Sequence, residues 1–212
     1  MGMFLRRGEA HITHLGDLEL GALVKLNESG SPVEFYVACH NYEPGLNGAG
    51  RTLLVRKDCY DMRSFASGNN AYADNTLDSW LCNTYPQLLD ADIQAAIGTT
   101  KLYYTPGNGN NTVTTLQRAV FQLSLTELGK SDSYANTEGS ALPIASTLQI
   151  AYRDGAAVEQ WTRTPSTYDT YNVYSLSKSG SFRRGDYRPH LGSRPAFTLP
   201  STTIVGDDML IA

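Results

Sequence analysis

Cysteine is scarce in this chain. Cys39, Cys59 and Cys82 form an odd set with no C-x-x-C or C-x-x-H spacing, a pattern that excludes a disulfide framework or an ordinary zinc site. They read as small buried hydrophobes of a reducing compartment. Long apolar runs are also missing, and no stretch approaches the roughly 18 residues needed to cross a bilayer as a helix. The opening MGMFLRRGEAHITHLG has no apolar segment of signal-peptide length, and Arg6 stands where N-myristoylation requires Ser or Thr. The expectation is a protein that stays in the compartment where it is made. Charge is thin: 18% of residues are charged and the net charge is −4, against about 25% charged in an average globular protein. No like-charge run exceeds two residues, so a nucleic-acid footprint is lacking.

Enzyme signatures are missing as well. There is no G-x-S-x-G elbow, Walker A loop, H-E-x-x-H or Rossmann fingerprint. His11 and His14 could ligate metal on one helical turn, but no carboxylate pattern accompanies them. Asp90 with Asp92, or Asp132 with Glu138, could be drawn as acid–base pairs; helix capping and solvated loops explain them with less strain. The sequence therefore predicts no catalytic residue, no cofactor and no metal site.

What the chain holds instead is 20 Thr, 17 Ser, 12 Asn and 19 Gly in 212 residues, a composition suited to short strands and polar loops. The length fits one domain, read as an N-terminal arm over 1–15 and a single domain over 16–212. Residues 21–27 alternate, 28–32 turn and 33–39 alternate again, which predicts a hairpin. Arg51 to Arg56 reads as a buried strand, Lys101 to Thr105 as another, and Arg118 to Leu125 as the clearest strand of the middle third. Asn75 or Thr76 can cap a helix reaching Tyr85, and Asp90 can cap a second one closed by Gly98. Trp80, Phe35, Phe121, Leu54, Ile93, Ile97 and Phe197 are the expected core.

The string Gln160-Trp-Thr-Arg-Thr-Pro165 is followed by a Tyr/Ser-rich stretch and then by Gly192-Ser-Arg-Pro-Ala-Phe-Thr-Leu-Pro200. With the Gly21–Pro32 hairpin, the Thr76–Tyr85 helix and Asp90-x-x-Ile-Gln-x-x-Ile97, this order resembles an uncharacterised domain family of gut bacteria and their prophages. Its members end W-x-R-S-P, a variable loop, then G-x-R-P-A-[LF]-x-L. The resemblance spans about residues 16 to 205 and implies similarity to the C-type-lectin-like and formylglycine-generating-enzyme-like fold group. It thus implies an α+β fold: a single C-type-lectin-like domain with short twisted antiparallel strands, two short helices and long polar loops. The oxidase branch of that group uses late cysteines, and none follows Cys82 here. Calcium-dependent lectins use E-P-N or Q-P-D with W-N-D, and neither is present. What the resemblance leaves is a recognition scaffold in which Trp80, Trp161, Arg163, Arg194 and Pro195 are structural.

The stretch from 165 to 190 carries the expected binding face. Tyr168, Asp169, Tyr171, Asn172, Tyr174, Arg183, Arg184, Asp186, Tyr187 and His190 place rigid amphipathic or charged side chains on what reads as loop, a paratope-like composition. The function expected is that of a non-catalytic phage virion protein, tail-associated or capsid-decorating and homo-oligomeric on the particle. Its partners would be other virion proteins and a host glycan, cell-wall component or protein, with no nucleic acid and no membrane insertion. A bacterial surface carbohydrate- or protein-binding module is the alternative, and a formylglycine-generating-type enzyme comes third.

Overall fold

The computed structural model describes residues 12–211; the expectations placed on residues 1–11, His11 and most of the arm among them, lie outside the described residues. Of the remaining arm, Thr13–His14 pairs with Ile204–Val205, and Leu15 is fully buried.

The hairpin forms as the alternation predicts, with longer strands. Leu23–Glu28 and Ser31–His40 are joined by the two-residue turn Ser29-Gly30, both at positive φ, the conformation whose twist matches the flanking strands. These two open a six-stranded sheet in the order Leu210–Ile211, Leu23–Glu28, Ser31–His40, Arg51–Arg56, Ala196–Pro200, Val120–Phe121. Both of its faces are buried. Leu54 and Phe197 pack with Phe35 and the helices on one side, while Leu53, Val55 and Phe121 pack with Leu123, Leu148 and Tyr174 on the other. That is why Arg51–Arg56 reads as a continuous apolar run rather than an alternation.

A five-stranded sheet follows the order Phe182–Asp186, Asn172–Leu176, Gln160–Pro165, Leu191–Ser193, Asp61–Arg63. A two-stranded ribbon joins Thr100–Tyr104 to Thr114–Arg118. The two large sheets share chain: 191–200 and 51–63 run antiparallel beside each other and pass together from one sheet into the other. Backbone carbonyls at such a crossing lose their ladder partners and must be satisfied otherwise. Arg194, which is 2% exposed, supplies the donors. Its Nε donates to Arg56 O (2.8 Å), Nη1 to Leu148 O (2.8 Å) and Nη2 to Lys57 O (2.7 Å). Pro195 O accepts from Arg56 N at the same crossing. Gly192 is required there by space, since a Cβ would stand 2.4 Å from Cys59 Sγ.

The expected α+β, C-type-lectin-like fold is corrected. Among the described residues the protein is mostly β, 38% strand and 14% helix, with four short α-helices: Pro44–Asn47, Thr76–Asn83, Ala91–Ala96 and Ala145–Leu148. Two features account for the difference. Pro86 stops the first expected helix at Asn83 and a 3-10 turn, Tyr85–Leu88, replaces its end. The supposed long loop after Pro165 folds into the hairpin of Asn172–Leu176 and Phe182–Asp186.

Smaller expectations shift too. Asn75 caps its helix by accepting from Asp78 N at 2.8 Å. Asp90 occupies a cap position, but its carboxylate accepts from Asn27 Nδ2 instead. The stretch 118–125 is not one strand: it leaves the ribbon at Arg118, pairs in the six-stranded sheet at Val120–Phe121 and then runs unpaired. Phe35, Leu54, Ile93, Phe121 and Phe197 are buried, whereas Trp80 and Ile97 only flank the core. Leu77 and Leu81 take the inward face of the short helix, and the Trp80 ring lies 3.5 Å beneath the Arg63 guanidinium. Among the described residues no helix is long and apolar enough to cross a membrane.

Candidate functional site

The site grows outward from a buried polar seam. Arg163 and Glu127 are both fully buried and face each other as a fork on a carboxylate, Nη1 to Oε2 at 2.7 Å and Nη2 to Oε1 at 2.9 Å. Arg163 also donates to Tyr103 O and Gln122 O, and Glu127 accepts from Ser124 N and from the Tyr42 hydroxyl. Beside them Glu138 accepts from Thr105 N (2.6 Å) and Thr164 Oγ1 (2.5 Å). Burial pushes the Glu138 carboxyl above its usual range, against the opposing pull of Arg163. Trp161 is also buried and donates from its indole N–H to Arg63 O at 2.8 Å. No buried side-chain nitrogen or oxygen among the described residues lacks a partner. This seam ties the 122–138 segment to Gln160–Pro165, and the outer loops are built on it.

Asn70, 0% exposed, locks those loops. Its Nδ2 donates to Ser166 O (3.1 Å), Asp169 O (3.0 Å) and Asn172 O (2.9 Å), and its Oδ1 accepts from Asn108 N at 2.8 Å. One side chain thus holds the 166–172 loop against the 107–110 turn. Gly107 packs directly on it: φ is +78°, and a Cβ would stand 2.8 Å from Asn70 O. Further bonds gather a third segment, from Thr167 N to Tyr134 O (2.9 Å), Asn111 Nδ2 to Thr167 O (3.1 Å) and Asn136 Nδ2 to Asn111 O (2.6 Å).

On this platform the outer strand presents Arg184. Tyr174 and Arg184 are partners across the hairpin, so their side chains share one face of the sheet. The guanidinium lies 4.7 Å from the ring centre of Tyr134 and 5.1 Å from that of Tyr168, and the two rings meet edge to face at 5.1 Å. Tyr168 is 64% exposed and Tyr134 40% exposed. Beneath them the Tyr174 hydroxyl donates to Asp132 Oδ2 at 2.5 Å, a bond that holds the Asp132 carboxyl below its usual range. Burial, reinforced by that bond, pushes Tyr174 up. Among the described residues Arg184 makes no salt bridge.

The ten residues expected in the binding face separate into distinct places. Tyr168 and Arg184 join in the cluster, and Tyr171 stands exposed at the end of the same loop. Asp169 is a turn former: its Oδ1 accepts from Tyr171 N and Asn172 N, and its Oδ2 from Asn172 Nδ2. Tyr174 is buried beneath the cluster. Arg183 points to the opposite face of the sheet, 4.0 Å from Glu159, where Ser175, Gly185, Pro189 and Leu191 help to line an open groove of about 260 Å³. Asp186 pairs with Arg188, Tyr187 packs half-buried against the core, and His190 is exposed on the connection that follows. Tyr134 and Asn70 are additions of the structure.

Groups able to do chemistry are otherwise engaged. Burial pushes Cys59 up to about 11 and Cys82 up to about 12, and raises Cys39, so none of the thiols is a ready thiolate. Both ring nitrogens of His40 are bonded, to Thr52 Oγ1 and Leu18 O. No group of three or more potential metal ligands occurs among the described residues.

Comparison with known proteins finds no matching curated protein and no matching solved structure. A family model described as Domain of unknown function (DUF6273) matches residues 49–201. That span includes both helices of the 76–97 region, the seam and the loop platform, and leaves out the 23–40 hairpin. On that match, the chain belongs to the DUF6273 family.

Proposed function

We propose that this chain is a non-catalytic recognition domain carried on a phage virion, tail-associated or decorating the capsid, and that it binds through the face formed by Tyr134, Tyr168 and Arg184. The observation that carries the reading is the build of that face. Two exposed aromatic rings and a cation meet on loops locked from below by a buried side chain, Asn70. Rigid tyrosines offer contact area at low entropic cost, and a pre-set surface avoids the ordering penalty that weakens flexible binders. Raised thiols and fully bonded buried acids support a non-catalytic role. The virion setting draws on the likeness of the W-x-R and G-x-R-P-A motifs to prophage-borne domains.

The test uses particles induced from a strain carrying the gene, purified on a density gradient. The chain is expected in the particle, and the combined Tyr134→Ala, Tyr168→Ala and Arg184→Ala protein is expected to assemble while adsorption to host cells slows at least tenfold. Particles without the chain would overturn the virion setting, and unchanged adsorption would overturn the face.

A further inference from the structure

We infer that the ligand of this face is a saccharide bearing a carboxylate, read by Arg184 while the sugar ring stacks on Tyr168. The inference rests on the recognition reading above and adds the ligand's chemistry. A guanidinium carries five N–H donors in a planar fork that matches a carboxylate. Arginine is ordinarily a costly receptor because its long side chain must be ordered first. Here the ordering is already done, since the guanidinium lies over two rings at 4.7 and 5.1 Å. The donors remain largely available, because Arg184 makes no salt bridge among the described residues and is exposed. A carboxylate can take two parallel N–H donors of such a fork at once.

The surroundings narrow the anion. Asp132 accepts from the hydroxyl of Tyr174, the residue that shares the face of Arg184, and so adds a negative charge beneath the rings. It repels any bound anion, a phosphate dianion or a polyphosphate more strongly than a single carboxylate. The rings narrow the rest of the ligand. Tyr168 and Tyr134 offer flat, partly exposed surfaces with polar edges, suited to the C–H face of a pyranose and its flanking hydroxyls. The amides and hydroxyls of Asn111, Thr167 and Thr170 border the same loop.

Isothermal titration of the full chain with tetragalacturonate and with 3′-sialyllactose tests this and separates a uronic from a sialic source. Methyl-esterified tetragalacturonate and lactose are the uncharged counterparts. At least one charged probe is expected to bind ten times or more tightly than its counterpart, with that preference lost in Arg184→Gln. Tyr168→Ala is expected to weaken both members of the pair, and Asp132→Asn to tighten the charged one several-fold. Unchanged melting temperatures verify that these replacements leave the fold intact. Equal affinity for charged and uncharged partners would overturn the carboxylate and leave the recognition face standing. Binding of neither would overturn the saccharide inference altogether, while the adsorption assay decides the recognition reading on its own.

Discussion

Replacing Asn70 with Ala removes a buried side chain that bonds to both loops. Its Nδ2 has two hydrogens shared among the carbonyls of Ser166, Asp169 and Asn172, and its Oδ1 takes the N–H of Asn108, so about three hydrogen bonds disappear. At about 1 kcal/mol each for buried bonds, the loss is about 3 kcal/mol. For a chain of this length that corresponds to a fall in melting temperature of roughly 6–12 °C. The location of the effect matters more than its size. Hydrogen exchange followed by mass spectrometry should show lost protection in 166–172 and 107–110, with 23–40 and 51–56 unchanged because neither strand pair touches Asn70. A variant that melts within one degree of wild type with the same exchange map would refute the claim that Asn70 pre-sets the recognition loop.

Arg163→Met leaves the Glu127 carboxylate buried without its cation, a change that should cost about 3–5 kcal/mol; chemical denaturation should register it, and a double replacement with Glu127→Leu should recover most of the loss. Glu138 is a carboxyl held above its unfolded value. The native state therefore keeps a proton that the unfolded chain gives up first, near pH 4.3, and stability contributed by this site falls as pH rises from there through the native value. Glu138→Gln should flatten that fall, which is no steeper than about 1.4 kcal/mol per pH unit, and denaturation curves at pH 5 and pH 7 would show whether it does. Gly107→Ala sets a methyl group against the Asn70 carbonyl at positive φ. It should reproduce the local exchange signature of Asn70→Ala, and an unchanged map would contradict the close approach.

Local signals in the sequence were readable where partners are near in the chain. The 23–40 hairpin announces itself through alternation and a Ser-Gly turn, and Asn75 caps a helix three residues away. The outer hairpin was harder. Asn172–Leu176 and Phe182–Asp186 form the edge of a sheet, so Tyr, Ser and Arg replace the aliphatic alternation that marks a strand with one face in the core. The turn chemistry was nonetheless present: Gly180, at positive φ, closes Ser177 to Ser181, and Lys-Ser-Gly-Ser between two short runs is a hairpin cue. Asn70 and Tyr134 were invisible for another reason. Asn70 meets three of its partners about a hundred positions away and the fourth 38 away, and Tyr134 meets Tyr168 and Arg184 only through the seam that folds 122–138 against Gln160–Pro165. No pattern along the chain encodes such meetings. Tyr168 and Arg184 were legible because exposed aromatic and cationic side chains in a polar stretch carry their own signal; Asp169 and Tyr174 share that composition and serve the turn and the support beneath.

The most direct test of the central claim, that binding occurs on the Tyr134–Tyr168–Arg184 face, is carbene footprinting of the full chain with and without purified host cell envelope. The account expects Tyr134, Tyr168 and Arg184 to lose labelling on contact while exposed Tyr152 and Ile204, elsewhere on the fold, keep theirs. Protection confined to Tyr152 or Ile204, with the tyrosine cluster labelled as before, would contradict it.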